Sequence, residues 1–196
     1  MKILIVHASS YGTTRAIAER IADRLRARGH AVELTDALGT GAAVAPPSGY
    51  DAVLIGSRIQ LGKHAKEIVA YVKRHKLELL ERPSAFFSVS MAAATSADAD
   101  PNGYLAAFFA ETGWRPSGAI AFGGSLDYRA YGFVTRLIMK MISKRAGHAT
   151  DTSKDHHYTD WAAVDRFADA LFAAPTVGPT VGSSPTAAGS DRHSIR

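Results

Sequence analysis

Short apolar runs and amphipathic stretches alternate along most of the chain. Residues 2–8, 31–36, 52–57, 85–90 and 119–123 are the apolar runs, and most are continuous rather than alternating. Continuous runs are what strands buried on both faces of a parallel sheet require. Helical periodicity follows four of them, over 13–28, 63–76, 104–112 and, after a long detour, 160–173. Ile17, Ile21 and Leu25 recur every four positions with Arg, Glu and Asp between them, which gives the first helix one apolar face. In the last helix Trp161, Val164, Phe167, Ala168 and Leu171 form one stripe suited to core packing, and Thr159 or Asp160 can serve as N-cap. This order predicts an α/β fold, a doubly wound five-stranded parallel sheet with helices on both faces.

Composition narrows the reading. With 196 residues, 46% of them hydrophobic, the chain is long enough for one domain with a sizeable core and short for two. The domain is expected over 1–174. Residues 175–196 are mostly Pro, Gly, Ser, Thr and Ala with almost no large apolar side chain, the composition of a disordered tail. There is no cysteine, so disulfides and thiolate chemistry are excluded and a metal site would rest on His, Asp and Glu. His156 and His157 stand near Asp151, Asp155 and Asp160, but adjacent histidines point differently on most backbones and no third His has ligand spacing. No metal is expected. No run resembles a secretory leader or approaches the roughly 20 apolar residues that cross a bilayer, which suggests a soluble or peripheral protein. The net charge of +5 favours anionic partners such as phosphates, carboxylated substrates, nucleic acid or an anionic membrane surface.

The chemistry concentrates in the turn after the first apolar run. Ser9, Ser10, Tyr11, Gly12, Thr13 and Thr14 separate that strand from its helix. Ligands of open α/β sheets bind outside the carboxyl ends of the strands. There the unpaired N–H groups and the positive end of the helix dipole favour an anion. Gly12 permits close backbone approach, and the hydroxyls can donate to phosphate oxygens. The turn lacks both the Gly and Lys-Ser/Thr pair of the nucleotide P-loop and the spaced glycines of the dinucleotide fingerprint. Two readings fit these residues alone: a monophosphate site, or a helix start with solvated hydroxyls.

"ASSYGTTRAIA" resembles the FMN-phosphate loop of the flavodoxin family, and the predicted architecture is then flavodoxin-like. The resemblance implies that Ser9 to Thr14 hold the phosphate of FMN. It implies further cofactor loops after the third, fourth and fifth strands, within 56–62, 88–93 and 123–128. The candidate residues there are Ser57, Arg58 and Ile59; Ser90, Met91 and Ala92; and Gly123, Gly124, Ser125, Leu126, Asp127 and Tyr128. Where flavodoxins commonly stack an aromatic ring on the flavin, the third-strand loop offers Ile59, Gln60 and Leu61.

A long insertion, about 127–158, separates the fifth strand from the last helix. Phe133, Leu137, Ile138, Met141 and Ile142 recur at helical spacing, with Arg129, Arg136, Lys140, Lys144 and Arg145 between or beside them. Such a basic amphipathic helix, entered through Tyr128, Tyr131 and Phe133, suits an anionic membrane surface. It equally suits a helix packed on its own domain with its charges solvated. "WRPSGAIAFGGSLDYRAYGF", "RLIMKMISKRAGHATDTSKD" and "YTDW" resemble the flavodoxin-like, quinone-dependent protoporphyrinogen IX dehydrogenases of bacterial haem synthesis. That likeness implies FMN-dependent oxidation of protoporphyrinogen IX with a membrane quinone as acceptor, in the cytoplasm at the inner face of the membrane, without nucleic acid. Arg58, Lys63, Arg115, Arg129 and Arg136 are candidates to pair with the substrate's propionates. No catalytic acid or base is identified.

Two other flavodoxin-like functions compete. An electron carrier is usually acidic and lacks the basic insertion, whereas an NAD(P)H:quinone reductase would share the flavin site. A phospho-acceptor domain needs an acidic residue at the end of the third strand, which reads Gly56, Ser57, Arg58.

Overall fold

Ile3, Leu4, Ile5 and Val6 are all fully buried, which a strand achieves only when both of its faces are covered. In a computed structural model the described residues are 1–39, 44–94, 100–126, 156–157 and 159–172. They form strands β1 (Lys2–Ala8), β2 (Ala31–Asp36), β3 (Ala52–Gln60), β4 (Lys63–His64), β5 (Ser84–Ser90), β6 (Gly118–Gly123), β7 (Ser125–Leu126) and β8 (His156–His157). The helices are α1 (Thr13–Ala27), α2 (Lys66–Arg74), α3 (Lys76–Leu80), α4 (Tyr104–Thr112) and α5 (Trp161–Ala170). The main sheet runs β2-β1-β3-β5-β6, every neighbouring pair parallel, with β4 added antiparallel to β3. The expected five-stranded doubly wound sheet is therefore present. Its order reverses between β1 and β3, where Ala8 pairs with Ser57.

Alternate side chains build two cores. Ile3, Ile5, Leu54 and Phe87 pack on one face with Ile17, Ile21 and Leu25 of α1 and Val164 and Ala168 of α5. Leu4, Val6, Val53, Ile55 and Phe86 pack on the other with Ile68 and Val72 of α2, Phe108 of α4 and Trp114. Phe86 and Phe108 stack with centroids 4.4 Å apart, and the Trp114 ring meets both edge-on. The Gly56 and Phe87 partners in register are also in steric contact: a Cβ on Gly56 would fall inside the fully buried Phe87 ring.

Three features differ from the sequence expectation. β3 runs on to Gln60 and folds back through Leu61 and Gly62, so that Gln60 pairs with Lys63 and Ile59 with His64. The expected helix over 63–76 accordingly begins at Lys66, and it breaks at His75 before α3. Trp161 leaves the apolar stripe and is 43% exposed, lying over α1 beside Glu19, Arg20 and Asp23. Asp160 is the N-cap of α5, its carboxylate accepting from the Ala163 N–H at 3.0 Å, while the Thr159 hydroxyl donates to the Gly123 carbonyl at 2.9 Å.

α5 is fastened by arginines spaced four apart on α1. Arg20 makes two hydrogen bonds to Asp165, both 2.8 Å, and Arg24 makes two to Asp169 at 3.0 and 2.6 Å. Arg28 donates to the carbonyls of Ala168, Asp169 and Leu171 at the end of α5. The expected insertion helix and tail lie outside the described residues. β7 and β8, from the two ends of that insertion, pair antiparallel.

Gly56→Ala is expected to destabilise the protein by about 1–3 kcal/mol, because the enclosed Phe87 ring has no space to move into. Urea unfolding measures the loss, and adding Phe87→Leu should recover part of it. A second expectation concerns His64, packed at a tilt against both Phe86 and Phe108 with its Nε2 donating to the Tyr104 carbonyl at 3.1 Å. Burial lowers its pKa below the ordinary 6.5, against a smaller opposing effect of the Tyr104 bond. As pH falls below 6.5 the unfolded chain takes up a proton that the folded chain refuses, so stability falls until the folded-state pKa is passed. His64→Gln keeps an N–H for Tyr104 without titrating; its urea midpoint should drop less between pH 7.5 and 5.5 than that of the parent.

Candidate functional site

The turn after β1 is shaped by one backbone conformation. Gly12 has φ +92° and ψ −25° at the N-cap of α1, a left-handed geometry that a side chain would disfavour. Its N–H donates to the Ser9 hydroxyl at 3.1 Å, and its carbonyl accepts the first helical bond, from Ala16 N–H, at 2.8 Å. Being glycine, it offers no side-chain oxygen to cap the helix. The first turn of α1 also carries no acidic residue, so the helix end presents an uncompensated positive pole.

That end opens into a cleft at the reversal of strand order. Ser9, Ser10, Tyr11, Thr13 and Thr14 line it from α1 and its turn; Arg58, Ile59 and Gln60 from β3; Val89, Ser90 and Met91 from the end of β5; and Gly124 from beyond β6. Arg58 crosses to the turn, where its Nε donates to the Ser10 hydroxyl. On the far wall the Ser90 hydroxyl accepts from Ala93 N–H at 3.1 Å and its carbonyl accepts from Gly124 N–H at 2.9 Å. The β5 and β6 loops are thereby tied together.

Most of the residues singled out from sequence meet in this cleft. Ser57 does not: it is fully buried, donating to the Arg58 carbonyl and accepting from Ala65 N–H, both at 3.2 Å. Its hydroxyl joins the end of β3 to the start of α2. Ala92 and Gly123 stand outside the lining, Ser125 and Leu126 belong to β7, and Asp127 and Tyr128 lie outside the described residues. Among the basic candidates Arg115 is exposed, while Arg129 and Arg136 lie outside the described residues. Val89 and Gln60 join the lining beyond the residues chosen from sequence. Gln60 lay within the anticipated third-strand loop, whereas Val89 reads locally as one more apolar strand position.

The lining decides what the cleft can do. Among the described residues it holds no carboxylate, histidine or lysine, and Arg58 is its one permanent charge. His7 lies just before the turn, with Nδ1 3.9 Å from the Asp36 carboxylate. Burial nevertheless pushes its pKa down, with Asp36 opposing, so His7 adds no cation at neutral pH. Hydroxyls, a helix N-terminus and one guanidinium form an anion-binding set, with no carboxylate, imidazole or ammonium among the described lining residues. The cleft's volume, about 70 Å³, is of the order of a phosphate group. The residues present therefore fit the phosphate group of a flavin nucleotide.

Comparisons with known proteins place the chain in a family. The flavodoxin domain family matches residues 4–153. A protoporphyrinogen IX dehydrogenase (quinone) of Leishmania major is 35% identical over 184 residues, covering 91% of this chain and 78% of that protein. The protein of the same name from Escherichia coli K12 is 34% identical over 172 residues, covering 86% of this chain and 93% of its own. Among solved structures, a flavodoxin from Pseudomonas aeruginosa superposes with a TM-score of 0.46 at 14% identity, covering 87% of this chain and 99% of its own. The chain belongs to the flavodoxin domain family and groups within it with oxidoreductases named protoporphyrinogen IX dehydrogenase (quinone).

Proposed function

We propose that this protein binds FMN non-covalently in the cleft between the β1 turn and the ends of β3 and β5, and oxidises protoporphyrinogen IX to protoporphyrin IX in haem synthesis. A membrane quinone, menaquinone or ubiquinone, is the electron acceptor. The observation that carries this reading is the anion-binding lining of the cleft, in a chain 34–35% identical to its named relatives over most of its length. Converting the porphyrinogen to the porphyrin removes six electrons and six protons, which reduces three quinones to three quinols. Bound flavin supplies the ability to take an electron pair from carbon and pass it to a quinone.

The chain's own contribution is placement. Ser9, Ser10, Thr13, Thr14 and the α1 N-terminus hold the phosphate, and Arg58, anchored on Ser10, adds charge at the same edge. Ile59 and Met91 give the mouth an apolar wall that shields the ring from water. Access to a quinone in lipid fits a protein working in the cytoplasm at the inner face of the membrane. Among the described residues no helix is long and apolar enough to cross a bilayer.

Two measurements check the proposal. Thr13→Asp places a negative charge beside the phosphate and should weaken FMN binding at least about tenfold, roughly 1.4 kcal/mol, in a flavin-fluorescence titration. Under anaerobic conditions the FMN-loaded protein should generate porphyrin fluorescence from protoporphyrinogen IX when a menaquinone analogue is present, and not without flavin or without quinone. Flavin binding with no porphyrin formation would return the function to an electron carrier, and NAD(P)H-driven quinone reduction would identify a reductase.

A further inference from the structure

The β3–β4 hairpin divides two cavities. On one side Arg58, Ile59 and Gln60 line the cleft described above; on the other, Gly62 and Lys63 open a groove of about 470 Å³ between α2 and α4. That volume lies within the usual range for small-molecule sites, about 300–1,000 Å³. The groove is built from two matching helical stripes, Lys66, Val69, Ala70 and Lys73 on α2 facing Tyr104, Ala107, Phe108 and Glu111 on α4. Both follow the i, i+3, i+4, i+7 spacing that normally closes a helix seam. Here the seam is open and amphiphilic.

Its polar groups are unevenly used. At the far end Lys73 pairs with Glu111 at 3.0 Å. At the hairpin end Lys63 and Lys66 are both exposed, and neither has a carboxylate within ion-pair distance among the described residues. The floor between the ends is Val69, Ala70, Ala107 and Phe108. His64 fixes the hairpin to α4 through the Tyr104 carbonyl. A groove about 10 Å long from Lys66 to Lys73, with an apolar centre and two ammonium groups at one end that have no ion-pair partner among the described residues, suits an apolar molecule carrying carboxylates.

We propose that Lys63 and Lys66 form the anionic subsite of the substrate, taking the two carboxylates of the porphyrinogen at the groove mouth. This rests on the function proposed above and adds to it where the substrate is gripped. The hairpin between groove and cleft turns in two residues, Leu61 and Gly62, both with positive φ. Leu61 at its tip is 87% exposed. A large side chain in left-handed backbone, held out in water, is costly on two counts. Both costs are reduced when the apolar body of a ligand held by the two lysines covers Leu61.

The test uses FMN-loaded protein and compares the parent with Lys63→Glu/Lys66→Glu and the milder Lys63→Gln/Lys66→Gln. Binding of protoporphyrin IX and of its dimethyl ester is followed by porphyrin fluorescence, and turnover by porphyrin formation. The parent should bind the diacid more tightly than the ester. The glutamate pair should weaken diacid binding at least about tenfold, leave ester and FMN affinities unchanged, and raise KM with kcat preserved; the glutamine pair should act in the same direction. Equal affinity for diacid and ester, or an unchanged diacid affinity in both variants, would overturn the subsite. So would lysine-dependent binding to phosphatidylglycerol vesicles with porphyrin affinity unaltered, which would assign these lysines to lipid. Turnover that ignores the lysines would leave the proposed function standing without this groove. Lysine-dependent diacid binding with no turnover would keep the groove and remove the function.

Discussion

Burial of the central strands on both faces is the constraint from which the rest follows. β1, β3 and β5 carry apolar side chains into two separate cores, which leaves little room for ligand chemistry along their length. It collects where they end. The carboxyl edge at the reversal of strand order is also where the N-terminus of α1 arrives and where Gly12 turns the chain. One topological fact thus positions hydroxyls, helix dipole and Arg58 together. The same burial makes the sheet intolerant of added volume, as the Phe87 ring against Gly56 shows.

Much of this architecture was legible because it is written locally. The limits of β1, β2 and α4 coincide with their apolar runs and periodicity, and the turn from Ser9 to Thr14 is contiguous in sequence. The hairpin was hidden because Arg58 and Gln60 are polar and Leu61 occupies a position where glycine or asparagine is the usual signal. Arg20, Arg24 and Arg28 gave no sign of fastening α5, since their partners are some 145 residues away and the solvated face of a helix looks the same. Val89 was opaque for a related reason: which side of a strand end opens to a ligand is decided by its neighbours in the sheet. Trp161 matched an apolar stripe and yet lies over the charged surface of α1.

The hairpin then acquires a meaning that neither cavity has alone. It is a thin wall, fixed at one root by the Ser57 hydroxyl and at the other by His64 on the Tyr104 carbonyl. An anion-binding cleft whose described lining holds no carboxylate, histidine or lysine lies on one side and an amphiphilic groove on the other. Such a division suits an enzyme in which the flavin performs the redox chemistry and the protein sets distance and orientation.

The central claim is that the hydroxyl turn at the β1–β3 reversal binds the phosphate of the cofactor. Amide chemical shifts of the isotope-labelled protein, titrated in parallel with FMN and with riboflavin, test it most directly. The account predicts large shifts at Gly12, Thr13 and Thr14 with FMN that riboflavin does not reproduce. Equal shifts with both ligands, or FMN shifts confined to other parts of the chain, would contradict it.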